Sequence, residues 1–299
     1  MNTYEDLSMN TYPKVSLILC TRNRAEQLKV CLTSINNIHS IYSWEFILVD
    51  NNSEDHTQQI VDEFRRIARM PFQSIIETVR GSSAAKNSGC KRAKGEYIAF
   101  TDDDCYPQAD FIDSIVTILD ENQNLGFVGG KVLLFDPQDL PITIQTYNSK
   151  IELKPSSYLA AGVIHGANFA FRRTTFLATG GFDERFGAGK KYPCEDVDIM
   201  AEALRLGWQG VYDPRVVVFH HHKRKLQSDA ENLSRGYDKG RGAYFAKRLL
   251  KPGNRKTYFM AWLRRFRWQS VSISMREISA ALQFWMENIM QKYTPRIKN

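Results

Sequence analysis

The sequence predicts an α/β protein built on an open, mainly parallel sheet with helices on both faces. Three observations carry that expectation. Apolar runs alternate with amphipathic helical segments through the first hundred residues. The runs at 15–20 and 45–50 are nearly continuous rather than alternating, as in strands buried on both faces. Polar clusters follow the runs directly, at the carboxyl ends of strands where such sheets bind ligands.

The elements follow in order. VSLILC (15–20) is a strand, and Leu28, Cys31, Leu32 and Ile35 then repeat at the spacing of a helix face. EFILVD (45–50) is a second strand. Asp55 is placed to cap a helix whose buried face is Ile60, Val61, Phe64, Ile67 and Ala68. A third strand is expected at 73–79, a short helix at 83–93, and a fourth strand at 96–101 (EYIAFT). Beyond residue 104 the alternation loosens: a helix near 108–121, a strand at 126–134, and an unpatterned stretch at 135–165 suited to an acceptor-facing insertion. Glu195 to Leu206 is helical, with Gly207 as its stop, and 211–219 is a strand running into three histidines.

The chain has 299 residues, 43% hydrophobic and 24% charged, enough for a sizeable core without covalent staples. Its five cysteines include no C-x-x-C pair, which argues against a disulfide framework or a zinc ribbon. No basic start followed by an apolar run opens the sequence, and no stretch approaches the roughly 18 apolar residues of a membrane span. The expected location is the cytoplasm, with a peripheral position on the inner face of a membrane as a further option. The net charge of +7 is uneven: Arg235 to Arg267 holds eleven Lys/Arg against Asp238, a local +10 that leaves the remainder at −3.

The candidate chemistry starts with Asp102-Asp103-Asp104. Three adjacent carboxylates repel unless a cation neutralises them, and Mg²⁺ and Mn²⁺ favour carboxylate and phosphate oxygens. Alternate residues Asp102 and Asp104 can face one way while Asp103 turns aside. Thr21-Arg22-Asn23-Arg24 and Asp50-Asn51-Asn52-Ser53 lie at neighbouring strand ends, where an aspartate accepts from base or ribose donors. The small residues of Gly81 to Asn87 permit close backbone approach to a nucleotide, with Lys86 in reach of a phosphate, although no Walker loop is present. Glu195-Asp196 opens a helix, where carboxylates either complement its dipole or serve as a general base; composition does not choose between the two residues. In His220-His221-His222 the first and third share a strand face, and one imidazole could complete a metal shell.

Taken in order, PKVSLILCTRNR, EFILVDNNSEDHT, GSSAAKNSGCKRAKGEYIAFTDDDCYP, GANFAFRR, GGFDERFG and CEDVDIMAEALRLGWQGVYDP resemble the family-2 glycosyltransferases of GT-A fold, from about Pro13 to His222. The resemblance implies a Rossmann-like open mixed sheet flanked by helices and an inverting, metal-dependent transfer from a nucleoside-diphosphate sugar, expected to be UDP-linked, to a hydroxyl acceptor in polysaccharide or glycoconjugate synthesis. It implies Asp102 and Asp104 as the D-x-D pair, with His220 joining the Mn²⁺ or Mg²⁺ shell. Donor contacts would come from Thr21, Arg22, Asn23, Arg24, Asp50, Asn52, Ser83, Lys86, Asn87, Asp102 and Asp103. Asp196 would be the base, with Asn168, Gly181, Phe182, Asp183 and Glu195 on the acceptor side. The family often has Tyr at the position of Arg22 and Arg at that of Lys86.

The organisation expected is a tail (1–12), a catalytic domain (13–222) and a basic, helical C-terminal extension (223–299). Met275, Ile278, Leu282, Trp285 and Ile289 make an apolar stripe, with Arg276, Glu277, Gln283 and Glu287 elsewhere around the helix. That helix either packs back on the catalytic domain or, with the basic stretch and Trp262, Phe266 and Trp268, meets an anionic membrane through residues 235–292. A membrane site would suit a lipid-linked rather than a free glycan acceptor. No nucleic-acid motif accompanies the charge. The competing functions are a metal-dependent nucleotidyltransferase, for which TRNRAEQ is a poor phosphate loop, and a non-catalytic nucleotide-sugar-binding protein.

Overall fold

The computed structural model describes residues 12–293, so the expected tail at 1–12 lies outside the described residues except for Tyr12. The first half runs β1 (Val15–Thr21), α1 (Ala25–Asn36), β2 (Trp44–Asp50), α2 (Thr57–Arg65), β3 (Phe72–Ile76), α3 (Ser82–Arg92) and β4 (Tyr97–Asp102). Then come β5 (Cys105–Pro107), α4 (Phe111–Glu121), β6 (Leu125–Leu134), β7 (Ile151–Leu153), β8 (Asn168–Arg172), α5 (Arg173–Thr179), α6 (Glu195–Arg205) and β9 (Gln209–His220). Three helices close the chain: α7 (Gln227–Leu250), α8 (Arg255–Phe266) and α9 (Val271–Tyr293).

One nine-stranded sheet runs β3-β2-β1-β4-β8-β6-β9-β5, with β7 added on β9. Strands β1 to β4 are parallel, and β8 inserts antiparallel between β4 and β6. The sheet is therefore mixed. Strand residues alternate between its two faces, and each face is buried. Val15, Leu17, Leu19, Phe46 and Leu48 pack with the residues of α1, α2 and α4; Ile18, Ile47 and Val49 join those of α6 and α7.

Several boundaries differ from the sequence reading for local reasons. β3 stops at Ile76 because the side chain of Asn51 then takes over, its Nδ2 donating to the carbonyls of Glu77 and Val79 at 2.8 Å each. α2 ends at Arg65, where the amides of Arg66 and Ile67 turn to carbonyls three residues back, and Ile67 is exposed. Asp55 is not the cap, which is His56, but lies one residue earlier, its Oδ1 accepting from the first helical amide, Thr57, at 3.1 Å. The unpatterned stretch is tied to the sheet by paired backbone bonds between Val132 and Gln145 and by β7.

The extension departs most from expectation. α7 lies so close to its neighbours that a Cβ on Gly240 would meet the Pro193 carbonyl oxygen at 2.0 Å, and one on Gly242 the Glu277 carbonyl oxygen at 2.1 Å. α9 does pack back, through Glu277, Ala280, Ala281 and Phe284, the last against Phe186 and Tyr192; of the expected stripe, Trp285 is half-buried and donates to the Ala246 carbonyl at 3.0 Å, while Met275, Ile278, Leu282 and Ile289 stay exposed. Glu277, off the apolar stripe, is fully buried and accepts from Arg241, Arg265 and the Trp262 indole. Trp262 is buried with it, stacked on Phe245. Much of the local +10 is likewise internal: Lys247 and Arg248 both bind Asp198 at 2.6 Å.

Gly242→Ala should separate α7 from α9 at the cost of overpacking, about 1–3 kcal/mol. Thermal unfolding should record a Tm several degrees lower, whereas an unchanged Tm would mean the helices cross more loosely than this geometry requires.

Candidate active site

The polar clusters converge at the carboxyl ends of β1, β2, β4 and β9. Asp102 is the last residue of β4, and Asp103 and Asp104 form the turn into β5. Both turn carboxylates are buried and occupied. Asp103 accepts from the Thr21 hydroxyl at 2.7 Å and from Arg24 Nη1 at 2.8 Å; Asp104 accepts from Arg24 Nη2 at 2.7 Å. One guanidinium thus bridges two of the three like charges, the geometry for which Arg is suited. Thr21 and Arg24, expected at the nucleoside, are held by the acidic turn instead. Asp103, which the alternation argument turned aside, is their anchor.

Burial pushes the Asp102 carboxyl above its ordinary range, and Asp103 up to about 7 even against the Arg24 charge. Burial would raise Asp104 too, but its bonds to His220 and Arg24 outweigh that and hold it well below the usual carboxylate range. His220 Nε2 lies 3.4 Å from Asp104 Oδ1, while its Nδ1 faces Thr143, 3.4 Å from the carbonyl oxygen and 3.2 Å from Oγ1. An imidazole that donates Nδ1–H to a carbonyl presents its Nε2 lone pair to a cation. The donor atoms of Asp104, Cys105 and His220 fall within 4.8 Å of one another. Burial raises the Cys105 thiol well above its usual range, leaving carboxylate and imidazole as the ready ligands. That donor set fits Mn²⁺ or Mg²⁺. His222 points its Nε2 to the Leu140 carbonyl at 3.0 Å, and His221 meets the Tyr106 hydroxyl at 3.1 Å.

The β1 and β2 loops form one wall. The Asn23 amide donates to Ser53 Oγ at 2.9 Å, Asn23 Oδ1 accepts from the Glu54 amide at 2.7 Å, and Arg22 donates to the Asn51 carbonyl at 2.8 Å. Asn23 and Asn52 take positive φ, 51° and 59°, a conformation asparagine tolerates and a tight polar turn needs. Asp50 is buried at the base, accepting from the Ser53 amide at 2.9 Å, and Asn52 is exposed at the rim. Asn51, not singled out from sequence, also accepts from the Gly81 amide at 2.8 Å and so fixes where α3 starts. Only its place in a strand-end polar cluster could have flagged it.

Across the cleft, Cys194 adopts φ 112° and delivers Glu195 and Asp196 into the first turn of α6. The two neighbours have opposite surroundings. Glu195 Oε1 accepts from Lys86 Nζ and from the Ser82 hydroxyl, each at 3.0 Å. Burial would raise Glu195, yet Lys86 outweighs it and keeps the carboxylate ionised. Burial, reinforced by the Glu195 charge, lifts Asp196 to about 7. Gly166 leaves room for it: a Cβ there would stand 3.0 Å from Asp196 Oδ2. Two adjacent carboxyls whose surroundings drive them apart in acidity are the arrangement expected of one structural and one proton-accepting group.

Other expected contacts have structural partners. Lys86, expected at a phosphate, is buried over the rings of Phe169 and Phe182 and committed to Glu195. Ser83 donates to the Phe186 carbonyl at 2.7 Å. Asn87 clamps the Phe182 backbone both ways, at 2.9 and 3.0 Å, beside Gly181 at φ 86°. Asn168 is fully buried, donating to the carbonyls of Lys131 and Val216. Asp183 is bound by Arg185 and by Lys247 of α7, the latter at 2.7 Å. His165, also unforeseen, is kept neutral, pushed down to about 4 by burial and the nearby His220.

The family pattern described as glycosyl transferase family 2 matches residues 16–178. Among curated relatives, glycosyltransferase AglE of Haloferax volcanii is 31% identical over 41% of this chain and 40% of its own length. The probable glycosyltransferase YdaM of Bacillus subtilis is 26% identical over 71% of this chain and 51% of its own. The chain thus spans about half or less of these relatives. The mannosyltransferase PcManGT from Pyrobaculum calidifontis, in complex with GDP-Man and Mn²⁺, superposes with TM-score 0.61 at 20% identity, over 95% of this chain and 85% of that one. S. aureus TarS 1-349, in complex with UDP-GlcNAc, superposes with TM-score 0.62 at 17% identity, over 82% of this chain and 69% of that one. The structural likenesses agree with the mixed sheet flanked by helices, and the family match covers more than half of the chain, which is a member of the family-2 glycosyltransferases.

Proposed function

We propose that this glycosyltransferase moves a sugar from a nucleoside diphosphate, expected to be UDP, to an acceptor hydroxyl with inversion at the anomeric carbon. The observation that carries the reading is the division between Glu195 and Asp196, which leaves one carboxyl titrating near neutrality on the acceptor side of the cleft. Asp196 takes the proton of the acceptor hydroxyl as its oxygen bonds to the anomeric carbon; the bond to the diphosphate breaks and the nucleoside diphosphate leaves. Asp102, Asp104 and His220 would hold Mn²⁺ or Mg²⁺, which when bound neutralises charge developing on the diphosphate. Arg24 keeps Asp103 and Asp104 together before any ligand arrives. Asp50 and the exposed Asn52 are the donor-side groups on the wall built by Arg22 and Asn23. Preorganised carboxylates of this kind act chiefly by orienting the two substrates.

The acceptor is proposed to be lipid-linked, as in polysaccharide synthesis, and presented at the cytoplasmic face of an anionic membrane that the basic extension approaches. Among the described residues no helix is long and apolar enough to cross a membrane.

Asp196→Asn should keep nucleotide-sugar binding, read by thermal shift, and lose at least 100-fold in transfer. Release of pyrophosphate instead of nucleoside diphosphate would point to nucleotidyl transfer. Because the base works only as the carboxylate, wild-type kcat/KM should fall roughly tenfold per pH unit below about 7 and level off above it; a flat profile between pH 5 and 8 would exclude Asp196 as base. Asp104→Ala should abolish the extra stabilisation that Mn²⁺ gives in the presence of nucleotide sugar, and a retained Mn²⁺-dependent shift would place the cation elsewhere.

A further inference from the structure

We infer that α8 and the outer face of α9 form an interfacial membrane-docking surface selective for anionic phospholipid. This deepens the membrane reading of the extension and rests on it, replacing the whole tract 235–292 by one defined face. The sequence pattern of α9 is apolar where the structure leaves it open: Val271 is 75% exposed and Met275 66%, and Ile278, Leu282 and Ile289 continue the row. On α8, Lys256, Met260, Leu263, Arg264 and Arg267 recur at three- and four-residue spacing, so cations and apolar residues share one exposed side. Trp268, 90% exposed, stands where α8 turns into α9. Between the helices an apolar groove of about 230 Å³ is lined by Phe259, Leu263, Phe266, Leu282 and Trp285.

Charge selects the occupant. Between Asp238 and Glu277 the sequence has no acidic residue, and both of those carboxylates are fully buried against arginines. Arg255, Lys256, Arg264 and Arg267 are exposed. α7, by contrast, turns its Arg241, Lys247 and Arg248 inward to buried acids. The exposed cations of α7 are Arg235, which faces Glu231 at 4.0 Å, and Lys239, so most of the unpaired outward charge lies on α8 and the turn after it, beside the apolar row. A second copy of this face would bring like charges together, whereas an anionic bilayer neutralises them while its acyl region takes the apolar side chains. With no spanning helix among the described residues, such contact is interfacial.

The test is co-sedimentation of the full chain with vesicles of phosphatidylcholine alone or mixed with phosphatidylglycerol. The chain should bind the mixed vesicles and bind phosphatidylcholine weakly. Arg264→Gln with Arg267→Gln should weaken binding roughly 25-fold, and Leu263→Gln with Leu282→Gln should also release it, both with unchanged Tm and unchanged nucleotide-sugar thermal shift. Equal vesicle binding by wild type and both variants would overturn this face while leaving membrane association intact. No vesicle binding by the wild type would overturn both. A dimer in sedimentation velocity that Leu263→Gln with Leu282→Gln dissociates would assign the face to a second copy instead. The nucleotide-sugar shift reports the donor site separately.

Discussion

The Lys86 ammonium, buried beside two phenylalanine rings and 3.0 Å from Glu195, ties the helix that follows β3 to the helix that carries Glu195 and Asp196. Breaking a buried pair by removing one partner costs about 3–5 kcal/mol, since the other charge is stranded. The pair also has a local electrostatic consequence. It keeps Glu195 ionised, and that fixed negative charge, added to burial, raises its neighbour Asp196. Two residues of one type and adjacent number are thereby made chemically different.

The opposite wall uses the same device with arginine. Arg24 spans Asp103 and Asp104, and the Thr21 hydroxyl completes the hold on Asp103. The run of three carboxylates is held together because one fork-shaped cation spans two of them. On the Asp102, Asp104 and His220 side a further cation would be balanced by carboxylate charge and ligated by the imidazole nitrogen.

The extension is mechanically part of this arrangement. Lys247 joins Asp183 to Asp198, and Arg248 joins Asp198 to Glu202, so α7 grips both the loop after α5 and the helix bearing Asp196. Close approach at Gly240 and Gly242 makes that grip rigid. A surface on α8 and α9 is consequently held in a fixed relation to the helix that carries Asp196.

Much was legible before folding. Apolar runs and helical periodicity located the first four strands and the helices between them, because burial on both sheet faces leaves a strong, local pattern. The acidic run at the end of EYIAFT, the Glu195-Asp196 pair and the strand-end histidines were legible as polar residues where such sheets bind ligands. Tertiary structure alone decided their partners. Asn51 at the start of α3, Arg24 across two aspartates, Lys86 on Glu195 rather than toward a phosphate, and Glu277 buried beneath Arg241 each depend on residues from 30 to 109 positions away. Only the Lys86 contact, which no linear pattern records, separated Glu195 from Asp196. The same holds for α9: its sequence determined an apolar stripe, but the closer fit of Ala280, Ala281 and Phe284 against α7 decided that the stripe faces outward.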